Sequence, residues 1–528
     1  MSKSLYIINP RQDFPTPYTL DALACDGLQV QHYGDLAITT IAGLVPPGFS
    51  ISLCEESVSP VDLDTPCDFV LITGKAGQNY RMVRLARQFR KRGKVVILGG
   101  PFLSMNPEFL RPYCDVLVRG ELENIAQELF SDLNNSTWKD EYIGDKPDLA
   151  NTAVPRWELY PNDRTLMAAV QTSRGCPFQC EFCDVIILLG RKQRHKPIDL
   201  IHRELDCVHK HGYRQVFLAD DNLTVYRTHA KELAVAIREW NERQSAGKLK
   251  FSTQISIDSA RDDELLELWA RAGLTHTLVG IETPNEDSLL ETKKKQNVGV
   301  DLVAEIEKMV AHGIGVVGGM VIGFDSDGLD IFERQYDFAM ASPVPVFNLN
   351  TLIALPGTPL FERLKKQGRL QLDLGTEYIL GRTNFVLAQM SIEELEIGFK
   401  WLVNRLYEPK AFEYRLLRFI DELEPVPGVD ASVSDLQPRV DALVLAGLRE
   451  LGSAEAAMID KVCSRIENKP RAAHVTMEWL RIYQQLRFMY KQGGIWDPNV
   501  ATDELPFWPQ KSRAIVGSGQ YRDAVASG

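Results

Sequence analysis

Three cysteines, Cys176, Cys180 and Cys183, stand at a C-x3-C-x2-C spacing in the stretch Ser-Arg-Gly-Cys-Pro-Phe-Gln-Cys-Glu-Phe-Cys-Asp from Ser173 to Asp184. Thiolates are soft ligands, and a loop this short can turn all three toward one iron–sulfur cluster. A four-iron cluster held by three cysteines keeps one iron open for chemistry, whereas four cysteines usually make an electron carrier. Zinc is the competing reading, but structural zinc takes four ligands and no second C-x-x-C pair is present to complete a site. Disulfides are disfavoured, because nine cysteines are few for 528 residues and no secretory signal opens the chain.

The elements around this loop alternate. Leu166 to Gln171 reads as a strand leading into the cysteines, and five more strands follow, each preceded by a helical segment: Gln215 to Ala219, Lys250 to Ser256, Thr277 to Ile281, Gly315 to Gly323 and Val346 to Leu352. Strand-then-helix repetition is the pattern of a parallel barrel, here six-stranded and partly open, whose chemistry sits at the carboxyl ends of the strands. Those ends carry Asp220, Asp221, Asn222, Ser256, Asp258, Glu282, Asp325 and Asn348. Any one of them could merely cap the next helix; their recurrence at strand after strand points to a site.

Ahead of the barrel, residues 1–146 also alternate strand and helix, which predicts a doubly wound, Rossmann-like sheet. Its ligand loops fall after the strands, at Thr73 to Gln78, Gly99 to Ser104 and Arg119 to Glu123. Residues 147–164 read as a proline-spaced linker whose Trp157 and Tyr160 are packing anchors. After the barrel unit of 165–370, residues 371–515 predict five helices, Ile392 to Leu406, Pro409 to Leu423, Val433 to Leu451, Ala454 to Ile466 and Arg471 to Tyr490, and 516–528 a disordered Gly/Ser-rich tail. The basic run Arg191 to Lys196 reads first as a solvated face, and otherwise as a source of cations for an anionic ligand. Lys293 to Lys295 reads likewise.

Taken together, Leu-Gly-Gly-Pro at 98–101, Val-Arg-Gly-Glu at 118–121, the cysteine stretch, Ala-Asp-Asp-Asn at 219–222, Gly-Ile-Glu-Thr-Pro at 280–284, Gly-Met-Val-Ile-Gly-Phe-Asp at 319–325 and Leu-Pro-Gly-Thr-Pro at 355–359 resemble the cobalamin-binding-domain radical SAM family. The helical extension is similar to that of the subgroup containing hopanoid methylases. The resemblance implies an α/β fold of three parts: an N-terminal Rossmann-like cobalamin-binding-type domain, a partial (β/α)6 radical SAM barrel and a C-terminal helical domain. It implies a 4Fe-4S cluster on Cys176, Cys180 and Cys183, with S-adenosylmethionine (SAM) chelated by the free iron. Asp220, Asp221 and Asn222 would meet the SAM amino group, Ser256 and Asp258 the ribose, Glu282 the adenosyl region and Phe182 the adenine. Thr73, Gly74, Gly99, Gly100, Pro101, Gly120 and Glu121 would face cobalamin. The D-x-H-x-x-G loop that gives a histidine to cobalt in other cobalamin proteins is absent; no Asp-x-His occurs in the chain.

The implied activity is cobalamin-dependent methylation of an unactivated carbon, with a 5'-deoxyadenosyl radical abstracting the substrate hydrogen. Two alternatives remain at this stage: a radical rearrangement, oxidation or transfer of another SAM fragment, and a non-catalytic iron–sulfur or SAM-binding sensor. The implied partners are a small-molecule or lipid-like substrate and an electron donor such as flavodoxin or ferredoxin. A formal net charge of -12 and a pI near 5.4 argue against a broad nucleic-acid surface. No stretch is long and apolar enough for a transmembrane helix, and the expected location is the reducing cytoplasm.

Overall fold

The computed structural model describes residues 2–24, 27–371, 380–427 and 432–500. The tail expected at 516–528 lies outside the described residues. Fifteen strands occur among the described residues, in chain order: β1 (Lys3–Asn9), β2 (Gln31–Tyr33), β3 (Phe49–Glu55), β4 (Phe69–Thr73), β5 (Val95–Gly99), β6 (Val116–Arg119), β7 (Glu141–Ile143), β8 (Thr165–Val170), β9 (Ser173–Arg174), β10 (Arg194–His195), β11 (Gln215–Leu218), β12 (Lys250–Ile255), β13 (Leu274–Glu282), β14 (Gly315–Ile322) and β15 (Val346–Thr351).

The first sheet has the parallel order β3-β1-β4-β5-β6-β7. Both of its faces are apolar. Val70, Ile72, Val96 and Leu98 pack toward Met82, Leu85 and Phe89 of helix Asn79–Lys91. Leu5, Ile7, Leu71 and Ile97 belong to the opposite core with Ile38, Leu129 and Phe130. A strand buried on both sides needs helices on both sides, which gives the doubly wound arrangement. Asp35 caps helix Leu36–Leu44 by accepting from the Ile38 N–H at 3.0 Å, a contribution of about 1 kcal/mol.

The second sheet is parallel, in the order β15-β14-β13-β12-β11-β8-β2, and curls into a half-barrel. It has seven strands where six were expected: β2, from the N-terminal segment, adds to the β8 edge with Gln31 opposite Thr165 and Tyr33 opposite Met167. The chain thus crosses between the two sheets early: β1 lies inside the first sheet, whereas β2 is tied to the barrel. Trp157 and Tyr160 seal this junction. Both are buried and their rings meet edge to face, and the Tyr160 hydroxyl bonds to Glu55 (3.0 Å) and to the Asp35 N–H (2.9 Å).

Five helices follow, Ile392–Tyr407, Pro409–Glu422, Gln437–Glu450, Ser453–Ile466 and Pro470–Gln492. The first starts with a capping box between Ser391 and Glu394, and Pro409 opens the second, where a missing N–H costs nothing. The last one plugs the floor of the half-barrel. Its Arg471 donates to the carbonyls of Gly313 (2.8 Å) and Leu274 (2.7 Å) at the amino ends of β14 and β13, and its Trp479 ring stands 5.2 Å from His276. Glu478 of this helix pairs with His32 (2.5 Å) and Arg481. Phe399, Trp401, Tyr407, Phe412, Trp479, Tyr483 and Tyr490 are all buried, so the aromatic wealth of this region is core.

Candidate active site

With the floor plugged, access to the half-barrel is at the carboxyl ends of its strands. Burial along the strands marks the opening. β11, β12 and β15 are fully buried except Phe217, Gln254 and Asn350, and β13 and β14 except Leu278, Gly280, Gly319 and Val321. These residues share one pleat phase and adjoin in register: Gln254 faces Leu278, Gly280 faces Gly319, and Val321 faces Asn350. They line the upper lumen, where paired glycines on β13 and β14 leave room.

The cysteine loop closes over this mouth. It leaves β8, pairs briefly through β9 with β10, and is held by Cys176 N–H to Gly190 O (3.1 Å) and Glu181 N–H to Thr292 O (2.9 Å). All three thiols are free, and Cys180 lies within electrostatic reach of both Cys176 and Cys183. Burial pushes the Cys176 thiol up and that of Cys183 up to about 12, the neighbouring carboxylates and thiols adding to it. A metal bound here would hold them as thiolates by displacing those protons. Among the described residues no three His, Cys, Asp or Glu side chains are grouped as ligands of one metal ion.

The strand ends behave differently from one another. Asp220 is buried and its carboxylate accepts from Thr172 N–H (2.7 Å), Ser173 N–H (3.0 Å), Ser173 Oγ (3.0 Å) and Thr172 Oγ1. Four donors fill its lone pairs, so Asp220, expected at the SAM amino group, instead clamps the start of the cysteine loop. Burial outweighs these bonds and raises its pKa. Asp221 is half-buried; one oxygen takes the Gly175 N–H at 2.8 Å, and burial raises its carboxyl to about 6. Asn222 donates to Ser256 Oγ at 3.1 Å, joining the ends of β11 and β12. Asp258 pairs with Arg227 at 2.7 Å through Oδ2, while its buried Oδ1 has no hydrogen-bond partner. The Phe182 ring is half-buried, 6.2 Å from that of Phe324.

Glu282 is the conformational outlier, at φ 63 and nearly buried. A non-glycine residue costs about 1 kcal/mol or more in that region, and such strain concentrates at functional sites. Its carboxylate meets Lys294 at 2.6 Å, both side chains being about nine-tenths buried. A Cβ on Gly280 would lie 2.8 Å from Lys294 Nζ and closer still to Glu282, so glycine is required for this pair to form. Glu282, Cys180 and Cys183 together raise the Lys294 pKa against its burial.

The rim of the first sheet adjoins the same loop. Gly100, at φ 109, backs onto Gly74: a Cβ there would lie 2.5 Å from the Gly74 carbonyl oxygen. Gly120 likewise backs onto Gly144, so the rim between Thr73 and Gly144 is largely bare backbone. Pro101 opens a short helix, Pro101–Met105, that touches helix Val185–Leu188 just past Cys183. Glu121 was expected at the cobalamin face. Its two oxygens instead receive Arg174 (2.6 Å) and Arg194 (2.6 and 3.0 Å), and Arg174 also meets Glu123 at 2.8 Å. The basic run is likewise divided: Arg191 and Lys192 are exposed, whereas Arg194 and Lys196 turn inward to Glu121 and Glu204, both at 2.6 Å. Neither of these inward cations is free for an anionic ligand. The pairing of Arg174 and Arg194 with Glu121 and Glu123, and the place of Gln296, were not foreseen from sequence.

Residues 170–334 match the Radical SAM superfamily, and residues 358–453 match a Domain of unknown function, DUF4070. An uncharacterised methyltransferase of Synechocystis sp. is 35% identical over 345 residues, 63% of this chain and 63% of that protein. The match therefore spans less than two thirds of that relative's length. The hopanoid C-2 methylase of Rhodopseudomonas palustris is 29% identical over 413 residues, 76% of this chain and 77% of the methylase. Among solved structures, the cobalamin-dependent S-adenosylmethionine radical enzyme OxsB, with aqua-cobalamin and S-adenosylmethionine bound, aligns at a TM-score of 0.62 and 14% identity over 94% of this chain and 84% of its own. TsrM from Kitasatospora setae, a radical S-adenosylmethionine methyltransferase with cobalamin and a 4Fe-4S cluster, aligns at 0.58 and 15% identity over 88% of this chain and 100% of its own. At these identities the structural likeness is one of fold, and it extends through the Rossmann-like sheet as well as the half-barrel. Residues 170–334, most of the half-barrel with its cysteine loop, are thus a Radical SAM domain.

Proposed function

We propose that this protein is an enzyme that reductively cleaves SAM at a 4Fe-4S cluster and methylates an unactivated carbon of a small-molecule or lipid-like substrate, with cobalamin as the methyl carrier. One observation carries the reading: the loop of three free cysteines lies at the mouth of the half-barrel and is bolted through Arg174, Glu121 and Arg194 to the glycine-lined rim of the first sheet. Two cofactor platforms thus face one opening. The likeness to a hopanoid methylase, and the shared fold with two cobalamin-containing enzymes, support methyl transfer and cobalamin.

In this reading Cys176, Cys180 and Cys183 would hold the cluster, and the backbone of Thr73, Gly74, Gly99, Gly100, Pro101 and Gly120 would hold cobalamin. The cluster supplies the single electron that breaks the sulfonium bond and cobalamin supplies the methyl group, chemistry that side chains lack. The chain's own residues orient the reactants. Asp221 and the Asn222–Ser256 pair receive the SAM ammonium and ribose, Asp258 offers its unpartnered oxygen to a ribose hydroxyl, and Glu282 is held by Lys294 beside them. Burial of Lys294 and Glu282 excludes water where a radical must survive. The upper lumen, with Phe217, Leu278 and Val321 beside Gln254 and Asn350, takes the substrate. We assign residues 1–146, 147–164, 165–370 and 371–515 to the cobalamin-side domain, linker, barrel and helical domain. The eight described cysteines are all free, which suits a reducing cytoplasm, and an external donor such as flavodoxin or ferredoxin supplies electrons.

A second reading is favoured by Glu121 and the glycine pairs, whose placement is already explained by packing: the first domain is a scaffold, and the radical rearranges or oxidises its substrate without cobalamin. Purified protein refolded and supplied with hydroxocobalamin, iron and sulfide separates the two. Retention of one corrinoid per chain, read from its visible absorbance, is expected; failure to retain any corrinoid sinks the methyltransferase reading and leaves the scaffold.

A further inference from the structure

The segment after the strained strand end of β13 is strapped across the cysteine loop. Thr292 O accepts the Glu181 N–H at 2.9 Å on one side, and Asn297 Nδ2 donates to the carbonyls of Gly280 and Ile281, both at 2.9 Å, on the other. Between these anchors Gln296 turns its amide to the loop: Nε2 donates to Cys180 Sγ at 3.6 Å, while its buried Oε1 has no hydrogen-bond partner. Two residues earlier, Lys294 is held at Glu282 within the field of Cys180 and Cys183. Cys176 and Cys183 are served differently, by the backbone N–H groups of Phe178 and Val185. Among the described residues Cys180 is thus the cysteine of the loop whose sulfur takes a side-chain donor.

Resting on the reading that these cysteines hold a cluster, we propose that the strap from Thr292 to Asn297 sets its reduction potential, with Gln296 as the principal tuning residue and Lys294 as the second. An electron added to the cluster increases negative charge on the ligand sulfurs. An N–H aimed at one sulfur and a buried cation near two of them stabilise that reduced state and raise the potential. Glu282 offsets part of the Lys294 charge, so the neutral amide, whose effect nothing opposes, is the cleaner probe. The arrangement also couples the two halves of the site, because the residue that holds Glu282 stands two positions before the residue that bonds the cysteine sulfur.

The test is an anaerobic potentiometric titration of the full-length, cluster-reconstituted chain, following the electron paramagnetic resonance signal of the reduced cluster. Gln296→Leu should lower the midpoint by about a tenfold change in the oxidised-to-reduced ratio, about 59 mV for a one-electron couple. Gln296→Lys, which keeps a donor and adds a charge, should raise it, and Lys294→Met should lower it. The order Leu below wild type below Lys, at equal iron content per chain, is a signature that a merely structural role does not produce. Equal midpoints for the two Gln296 variants and wild type overturn the inference while leaving the cluster reading standing. A wild-type chain that assembles no cluster overturns both.

Discussion

Removing the carboxylate of Glu121 should unfasten the first domain from the cysteine loop. The side chain is 8% exposed and accepts three N–H groups within 3.0 Å from Arg174 and Arg194. Arg174 keeps Glu123 at 2.8 Å and Gln171 at 2.7 Å, so its charge stays compensated. Arg194, 13% exposed, keeps only the carbonyls of Pro147 and Leu189. Leaving one buried cation without its anion costs about 3–5 kcal/mol, and the two carbonyls place Glu121→Ala toward the lower end of that range. Replacing the cation as well should recover part of the loss, so Glu121→Ala with Arg194→Met should cost about 1–2 kcal/mol less than the sum of the single changes. Urea unfolding followed by tryptophan fluorescence gives all four corners of the cycle, and limited proteolysis reports opening around residues 189–194. A Glu121→Ala penalty of about 0.5 kcal/mol or less, the size of an ordinary surface change, refutes the latch.

Other perturbations probe other parts of the account. Gly280→Ala forces a Cβ against the Glu282–Lys294 pair, and SAM affinity measured by equilibrium dialysis on cluster-loaded protein should fall at least tenfold; unchanged affinity would separate that pair from the SAM site. Glu55, buried beneath Tyr160 and Asn9, has its carboxyl raised by burial to about 7. A raised carboxyl stabilises the fold fully below its unfolded value and loses that contribution as pH climbs through about 7. Wild type should therefore lose about 3 kcal/mol between pH 4.5 and pH 8, at 1.36 kcal/mol per pKa unit, and Glu55→Gln should flatten that slope in pH-resolved denaturation. An equal slope in the variant assigns the pH dependence elsewhere.

Alternation of apolar strands with amphipathic helices made the half-barrel legible, because parallel strands buried on both faces leave continuous Val, Ile and Leu runs. Strand ends fell within a residue or so of their expected positions at β11, β12, β14 and β15. β2 was missed for a physical reason: Gln31, His32 and Tyr33 are polar or aromatic and few, and they become a strand only because Tyr160, Thr165 and Glu478 satisfy them. β13 starts earlier than its apolar run for a similar reason, since Thr275 and His276 are buried with a hydrogen bond between them. The cysteine motif pointed to the mouth of the half-barrel, where its loop lies. Which carboxylates are free to act in it was not legible, because that depends on partners far away in sequence. Asp220 is filled by Thr172 and Ser173, 48 and 47 residues earlier, and Glu121 by Arg194, 73 residues later. Lys196 looked like part of a solvated run until Glu204 appeared across from it.

The central claim is that three cysteines make this chain a SAM-cleaving enzyme. Anaerobically reconstituted protein, given SAM and dithionite, should form 5'-deoxyadenosine and methionine, and the triple variant Cys176→Ala, Cys180→Ala, Cys183→Ala should lose both these products and the cluster's broad visible absorbance. Cleavage that survives in the triple variant, or a wild-type chain that carries the cluster and binds SAM but leaves it intact, would contradict the account.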